Sequence, residues 1–271
     1  MKYNINALDF GRLHMPLISN WNSTDTLENY KPILSSGNSN LYGINDFDYR
    51  LNSEYFRCDD FTLNSELPIL FTGCSITEGI GLPVEHTWCF LLLEKIRKAT
   101  GKNIPFWNIG IAGTGIDTMA RLTYTYSKKL NAKFLFALIH TSYRREFSAN
   151  GKSNIAWNIN NKWNDGKQYP YANSVKELFY DDTFSEHQTT RSCMILDSTL
   201  SSIGCKPYVT SWLSDDLREY EIFKNFPQLN YIKNTIEIPC NSYARDNSHP
   251  GPDWHILKSN EIWNNVSHYF I

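Results

Sequence analysis

The stretch "ILFTGCSITEGIG", residues 69–81, decides how the chain folds. An apolar run stops at Gly73-Cys74-Ser75, and a hydroxyl-rich segment punctuated by Gly79 and Gly81 follows. This pattern predicts a buried strand over 67–73 that turns tightly into a helix with Ser75 at its start. In most chains a serine there only caps a helix. It becomes a nucleophile where a base takes its proton and donors stabilise an oxyanion, so both interpretations are open at this point.

Strands and helices alternate along the rest of the chain. Short apolar runs predict strands over 67–73, 104–110, 132–140 and 206–212. Helical spacing predicts helices over 84–101, 116–130, 182–204 and 251–270. Such alternation indicates an α/β fold with a parallel sheet covered by helices on both faces. In these sheets ligands bind beyond the carboxyl ends of the strands, here near residues 73–75, 108–115 and 140–146.

Composition narrows the class of protein. The 271 residues are 41% hydrophobic with a net charge of -2, which suits one large globular domain and gives no field that attracts nucleic acid. No apolar stretch reaches membrane-spanning length and the first residues lack a signal-peptide pattern, so we expect a cytoplasmic protein without membrane insertion. The 6 cysteines include no CxxC pair, which argues against a disulfide framework and a zinc site. Abundant asparagine and tyrosine match an AT-rich genome, such as a viral one.

The chain divides into an N-terminal elaboration, residues 1–65, and a main domain, residues 66–271. "DYRLNSEYFR" (48–57) alternates like a strand, with Tyr49, Leu51 and Phe56 expected to point inward. Residues 148–172 are polar and rich in glycine and asparagine, which predicts a long surface loop or lid. Its aromatic side chains either pin the loop to the domain or form a wall on which sugars stack; they are Trp157, Trp163, Tyr169 and Tyr171.

A candidate base lies in "RDNSHPGPDWH", just before the last predicted helix. Asp246 and His249 are three residues apart, a spacing that in a turn can bring the carboxylate against one ring nitrogen. The other nitrogen is then left for a hydroxyl proton. Pro250 stiffens the loop. A surface turn with an incidental histidine remains the alternative.

Together these segments resemble the SGNH/GDSL hydrolases, a superfamily of esterases and lipases, over roughly residues 65–271. "FTGCSITEG" resembles the first block, with Ser75 at the nucleophile position. "NIGIAGTGIDTMARL" resembles the second, with Gly113 at the position whose N–H serves the oxyanion hole. "DNSHP" resembles the last, with Asp246 and His249 completing the triad. "YRLNSEYFR" resembles a lead-in of a subgroup that often has Gly-Cys-Ser. The resemblance implies a flavodoxin-like three-layer α/β/α fold.

Two positions depart from the family pattern. Cys74 replaces the usual aspartate, which is neither nucleophile nor base in the family, and Cys74 could itself be the nucleophile or a small buried residue. The Gly-x-Asn-Asp block is absent. Thr141 stands where its oxyanion asparagine would be, and the loss of one oxyanion donor costs about 100- to 1,000-fold in rate.

Other residues at the predicted strand ends carry weaker signals. Among the remaining histidines we expect His255 to be structural, His140 to be a rim or site residue, and His86 to lack an evident partner. Arg144, Arg145 and Glu146 either pair across the site mouth or solvate a loop. Asp215 and Asp216 are typical of an acidic N-cap.

The resemblance implies a serine esterase that works through an acyl-enzyme, without metal or organic cofactor, on a small-molecule or glycan ester such as an O-acetyl group. Acyl transfer to another alcohol would use the same chemistry. The alternative is a non-catalytic glycan-binding or structural protein, for example a virion component, that reuses the fold. A nucleotide-binding module is disfavoured, because "GIAGTG" is short and no Lys-Ser/Thr follows it.

Overall fold

The computed structural model of the protein describes residues 16–35, 42–139, 144–149, 152–158, 182–212, 221–236 and 242–271. Its strands are β1 (Ile18–Ser19), β2 (Tyr49–Arg50), β3 (Ile69–Gly73), β4 (Trp107–Asn108), β5 (Phe134–Ile139), β6 (Arg144–Ala149), β7 (Lys152–Asn158), β8 (Lys206–Ser211) and β9 (Tyr231–Ile232). Its helices are α1 (Leu27–Ser35), α2 (Ser75–Glu78), α3 (Trp88–Thr100), α4 (Ile116–Lys129), α5 (Asp182–Ser202) and α6 (Pro252–Val266).

The central sheet has five parallel strands in the order β4-β3-β5-β8-β9. Numbered by their appearance in the chain, these strands follow the order 2-1-3-4-5, which is the flavodoxin-like arrangement. The predicted fold class is therefore confirmed. Because β3 lies between β4 and β5, three strand ends that the sequence marks as candidate sites are neighbours at one edge.

Helices cover both faces of the sheet, and each face has its own apolar core. On one face α4 packs against α5, and residues such as Leu122 and Leu196 join the strand residue Leu135. On the other face α3 packs against α6, where Trp88 and Trp254 join the strand residues. The strand interiors are buried on both sides, which explains their continuous apolar runs.

Element boundaries follow the predictions with local differences. The helix predicted from residue 84 begins as a 3-10 turn over Val84–His86, and α3 starts at Trp88 after Thr87 accepts a hydrogen bond from the Phe90 N–H. It ends as predicted at Gly101, which has a φ of 68°. The second strand is shorter than predicted, since only Trp107–Asn108 pairs with β3.

The segment over 48–57 is only partly a strand. Tyr49–Arg50 pairs with β1, and the chain then turns because the Asn52 side-chain carbonyl accepts the N–H groups of Glu54 and Phe56 at 3.0 and 2.9 Å. The prediction of a longer strand is wrong, whereas Tyr49, Leu51 and Phe56 are buried as expected. The division at residue 65 stays a prediction.

The prediction of a loop over 148–172 is wrong at its start. Strands β6 and β7 pair antiparallel directly after the end of β5, with a register shift between Phe147 and Ser148. The Asn-Gly dipeptide at 150–151 is the sequence signal for such a hairpin. Residues 159–172, with Trp163, Tyr169 and Tyr171, lie outside the described residues. In the parts of the chain that are described, no helix is long and apolar enough to cross a membrane.

Candidate active site

The turn between β3 and α2 places Ser75 at the carboxyl edge of the sheet. Gly73 ends the strand, and its carbonyl accepts the Ile111 N–H at 3.1 Å. A Cβ on residue 73 would lie 2.0 Å from the Thr77 Oγ1, so glycine is required where α2 folds back on the strand. Ser75 is the first residue of α2 and its side chain is buried.

The loop before α6 is closed by its own backbone. The N–H of Ala244 donates to the carbonyl of His249 at 2.9 Å, and Tyr243 pairs with Pro250. The loop is joined to the end of the α2 segment because the Arg245 N–H donates to the Gly81 carbonyl at 2.8 Å. This contact brings a distant part of the sequence against the β3–α2 turn.

Ser75, His249 and Asp246 form a continuous chain of hydrogen bonds. The Ser75 Oγ lies 2.7 Å from His249 Nε2, and His249 Nδ1 lies 2.6 Å from Asp246 Oδ2. The other carboxylate oxygen of Asp246 accepts the N–H groups of Ser248 and His249, each at 3.1 Å. The structure thus brings together the three residues that the sequence marks as nucleophile, base and acid.

The protonation of this chain follows from the surroundings of Asp246. Burial by itself would raise the pKa of the Asp246 carboxyl, but hydrogen bonds from His249 and Thr24 and the charge of His249 lower the pKa below its ordinary value. An ionised carboxylate only accepts hydrogen bonds, so His249 Nδ1 carries a proton. In the neutral ring Nε2 is then the acceptor and faces the Ser75 hydroxyl.

Gly113 lies in the turn after β4, next to the β3 end. Its φ of 80° is a left-handed conformation that favours glycine. The turn is held by Glu78, whose Oε2 accepts the Ala112 N–H at 2.6 Å. Within the described part of the chain, neither the Ser75 N–H nor the Gly113 N–H donates a hydrogen bond. Thr141, expected as the third donor, lies outside the described residues.

Cys74 occupies a different environment from Ser75. It is the N-cap residue of α2, it is 1% exposed, and its sulfur lies 3.9 Å from the Ser75 Oγ. The imidazole nitrogen contacts the hydroxyl of Ser75. This arrangement favours Ser75 over Cys74 as the group whose proton the histidine can take.

His255 and His86, two other histidines that the sequence marks, have partners outside the candidate triad. His255 is buried, and its Nδ1 accepts the Trp88 N–H at 2.9 Å. Burial, with a smaller effect from the charge of His249, lowers the pKa of His255 to about 3, so this ring stays neutral. His86 does have a partner, because its Nδ1 lies 2.5 Å from the Tyr42 hydroxyl. His140 lies outside the described residues.

Glu146 anchors the β6–β7 hairpin to α4. Its carboxylate accepts the Arg121 Nε–H at 3.0 Å and lies 2.8 Å from Arg121 Nη2 in an ion pair, and its backbone N–H donates to Asp117 at 2.7 Å. The sequence left two roles open for Glu146, an ion pair across the site mouth or solvation of a loop. The structure shows neither, because Glu146 pairs with Arg121 of α4. Asp215 and Asp216 lie outside the described residues.

Three further polar residues support the site, and two of them lie outside every motif in the sequence. Glu78 is fully buried and its second oxygen accepts from the Asn22 side chain at 2.8 Å. The Thr24 hydroxyl lies 2.7 Å from Asp246 Oδ2. Asn22 and Thr24 belong to the N-terminal segment, far from the motifs in the chain. Of the three residues, Glu78 alone lies within a motif, the first one. A carboxylate in that segment is a sequence signal that could have identified it.

A separate cavity of about 600 Å³ lies beside the N-terminal segment and contains no member of the Ser75–His249–Asp246 chain. Its charged lining residues are Asp46, Asp48, Arg50, Arg57, Asp59 and Glu85. Carboxylates outnumber guanidinium groups, and Arg57 is already bonded to the carbonyls of Gly79 and Leu82. Among the described residues no group of three or more His, Cys, Asp or Glu side chains could hold a metal ion.

No family model matches the chain, and no curated protein sequence matches it. Similar solved structures include the psychrotrophic esterase EstA from Pseudoalteromonas sp., with 11% identity over 75% of this chain and 98% of that chain and a TM-score of 0.48. A protein from Parabacteroides merdae described as a GDSL-like lipase has 12% identity over 77% of this chain and 99% of that chain, with a TM-score of 0.47.

A catalytic mutant of Axe2, an acetylxylan esterase from Geobacillus stearothermophilus, has 13% identity over 74% of this chain and 94% of that chain, with a TM-score of 0.46. Two esterases and a protein described as a GDSL-like lipase are thus among the solved structures that the chain resembles. At these identities and TM-scores, the functional assignment depends on the residues of the site.

Proposed function

We propose that the protein is a serine ester hydrolase in which Ser75, His249 and Asp246 act as nucleophile, general base and orienting acid. The observation that carries this proposal is the unbroken hydrogen-bond chain from the Ser75 hydroxyl through both ring nitrogens of His249 to a buried carboxylate. A serine hydroxyl is a weak nucleophile unless such a base takes its proton.

The first half of the reaction forms an acyl-enzyme. The Ser75 Oγ attacks the ester carbonyl carbon while its proton moves to His249 Nε2, and Asp246 stabilises the resulting imidazolium. The tetrahedral intermediate then collapses, the bond to the alcohol oxygen breaks, and His249 gives the proton to that oxygen. The acyl group remains on Ser75.

Water completes the cycle. His249 takes one proton from a water molecule, the hydroxide oxygen attacks the acyl carbon, and the carboxylic acid leaves as Ser75 regains its proton. We propose the backbone N–H groups of Ser75 and Gly113 as oxyanion donors, with the Thr141 hydroxyl as a third. Support for the first two comes from their position at adjacent strand ends and from the absence of another described acceptor.

The proposed substrate is an acyl ester, and within that class an O-acetyl group on a glycan. The narrower choice rests on the motif resemblance in the sequence. Acyl transfer to a second alcohol would follow the same steps with that alcohol in place of water. A panel of acetylated sugars, p-nitrophenyl acetate and longer acyl esters, assayed with and without acceptor alcohols, separates these substrates.

Intact-mass measurement after exposure to a fluorophosphonate probe tests the mechanism. We expect one adduct on the wild type and on Cys74→Ala, none on Ser75→Ala, and strongly reduced labelling of His249→Ala. Cys74→Ala is the matched control, because it truncates the adjacent residue and leaves the hydroxyl–imidazole contact in place. Urea-unfolded wild type should not react, since activation requires the folded site.

Absence of an adduct on folded wild type would contradict the proposal. The protein would then be better explained as a non-catalytic glycan-binding or structural protein that reuses the fold, the reading favoured by the missing Gly-x-Asn-Asp block. Labelling that is lost in Cys74→Ala and kept in Ser75→Ala would instead identify the thiol as the nucleophile.

A further inference from the structure

The N-terminal segment contains a turn that reaches the candidate triad. Asn22 and Asp25 exchange two backbone hydrogen bonds of 3.0 Å, which closes a short turn over residues 22–25. Both ends of this turn are fixed: Asn22 binds Glu78, and Asp25 is paired with Arg245. The residue between them and nearest the site is Thr24.

The Thr24 hydroxyl contacts Asp246 Oδ2, the same carboxylate oxygen that contacts His249. Its Oγ1 lies 2.7 Å from Asp246 Oδ2, and the same oxygen lies 2.6 Å from His249 Nδ1. Because the ionised carboxylate only accepts, Thr24 must donate. The backbone carbonyl of Thr24 accepts from the Asn29 side chain at 2.7 Å, which ties the turn to α1.

We infer that the turn over residues 22–25 is part of the active site, with Thr24 a positioning residue that fixes the carboxylate of Asp246 toward His249. The inference rests on the proposed function. The carboxylate plane is set by four donors: two backbone N–H groups on Oδ1, and Thr24 and His249 on Oδ2. Thr24 is the side chain among them that comes from outside the loop.

Apart from Asp246, the charged and titratable groups described around His249 form no hydrogen bond with Thr24, so they would not transmit the loss of its hydroxyl to the imidazole. Asp246 lies on its own loop, and the neutral His255 lies on α6. Cys74 lies beside Ser75, and Glu78 is engaged by Asn22 and Ala112. Asp25 and Arg245 neutralise each other. Removal of the Thr24 donor therefore acts on His249 through Asp246.

Thr24→Val replaces the hydroxyl with a methyl group of similar size and tests the inference. We expect kcat for p-nitrophenyl acetate to fall about 10-fold with KM unchanged, the scale of a lost hydrogen bond to a charged group. Because Asp246 keeps more negative charge for His249, the acid limb of kcat/KM should move to higher pH. Thr24→Ser retains the donor and should restore both values.

Thr26→Val is the matched control. It makes the same chemical change two residues away, at a hydroxyl that accepts the Asn29 N–H at 3.1 Å and caps α1. We expect it to lower stability to urea slightly and to leave kcat and the acid limb unchanged. A purely structural role for Thr24 would give the result of this control, and the inference would then be wrong.

A proton NMR measurement keeps this test separate from the proposed function. The downfield resonance of the His249 Nδ1 proton should shift further downfield in Thr24→Val, whether or not the protein hydrolyses esters, because Oδ2 loses a competing donor. An unchanged resonance would overturn the inference even in an active enzyme. Absence of fluorophosphonate labelling in wild type would contradict the function without touching this contact.

Discussion

The loop before α6 contributes two neighbouring residues, Arg245 and Asp246, to two different buried polar clusters. In the anchor cluster, formed by Arg245, Asp25 and Tyr49, the guanidinium donates to both oxygens of Asp25 and to backbone carbonyls, and the Tyr49 hydroxyl donates to Asp25 at 2.5 Å. In the candidate triad, the chain of hydrogen bonds starts at the hydroxyl of Ser75.

In the proposed function the triad is the reactive cluster, whereas the anchor cluster only stabilises the fold. The side chains of Arg245 and Asp25 are fully buried, and their charges cancel at 2.7 Å. In the triad the His249 side chain is 15% exposed, and the ring contacts a proton donor that can itself become a nucleophile. Burial and hydrogen bonding occur in both clusters, so neither property alone marks a catalytic site.

The largest effect should come from Asp246→Asn. The amide keeps an oxygen for the backbone N–H groups of Ser248 and His249 but favours the wrong imidazole tautomer toward Ser75. We expect kcat to fall about 10⁴-fold while the free energy of unfolding stays close to that of wild type. Ester hydrolysis and urea unfolding, measured on the same preparation, check this, and a loss of less than tenfold would break the comparison.

Arg245→Met should act in the opposite way, on stability. It leaves the fully buried Asp25 carboxylate without its cation, which typically costs about 3–5 kcal/mol. Arg50→Met is the matched control, because among the described residues the Arg50 side chain makes only an exposed pair with Asp48 at 4.0 Å. We expect it to change the free energy of unfolding by less than about 0.5 kcal/mol. Equal midpoints in urea for the two variants would contradict the role of the anchor cluster.

A third prediction sharpens the contrast between His249 and the buried His255. Since burial lowers the pKa of His255 from 6.5 to about 3, the unfolded chain binds a proton that the folded protein excludes. The stability that depends on this neutral ring is complete above pH 6.5 and is lost as the pH falls toward 3. Between pH 7 and 5 the loss should be about 2 kcal/mol.

His255→Asn tests the assignment, because its side-chain oxygen can still accept the Trp88 N–H. We expect the variant to be less stable than wild type at pH 7 but to lose less stability between pH 7 and 5. Asp246 does not disturb this window, since its lowered pKa keeps it ionised there. The same slope in both proteins, measured by urea unfolding, would show that His255 is not the group that titrates.

The local patterns of the chain were sufficient to predict the fold class and to mark the three residues that the structure joins by hydrogen bonds in the candidate triad. These patterns are continuous apolar strands, helical spacing and a glycine at a helix end. Each depends on residues that are close in the sequence, and the structure shows the strand β3 and the helix end at Gly101 that they predict. The hairpin after β5 was missed although Asn-Gly marks it, because the polar composition of the segment outweighed a two-residue turn signal.

Sequence by itself determined that Ser75, Asp246 and His249 stand at chain positions where chemistry is possible, since strand ends and a stiff loop are local features. Only the tertiary structure decided which residues support them. Thr24 and Asp246 are 222 positions apart in the sequence, and no spacing pattern predicts the 2.7 Å contact between their side chains. Such contacts depend on how the N-terminal segment packs, which is set by the burial of Arg245 and Asp25 as a pair and not by a motif.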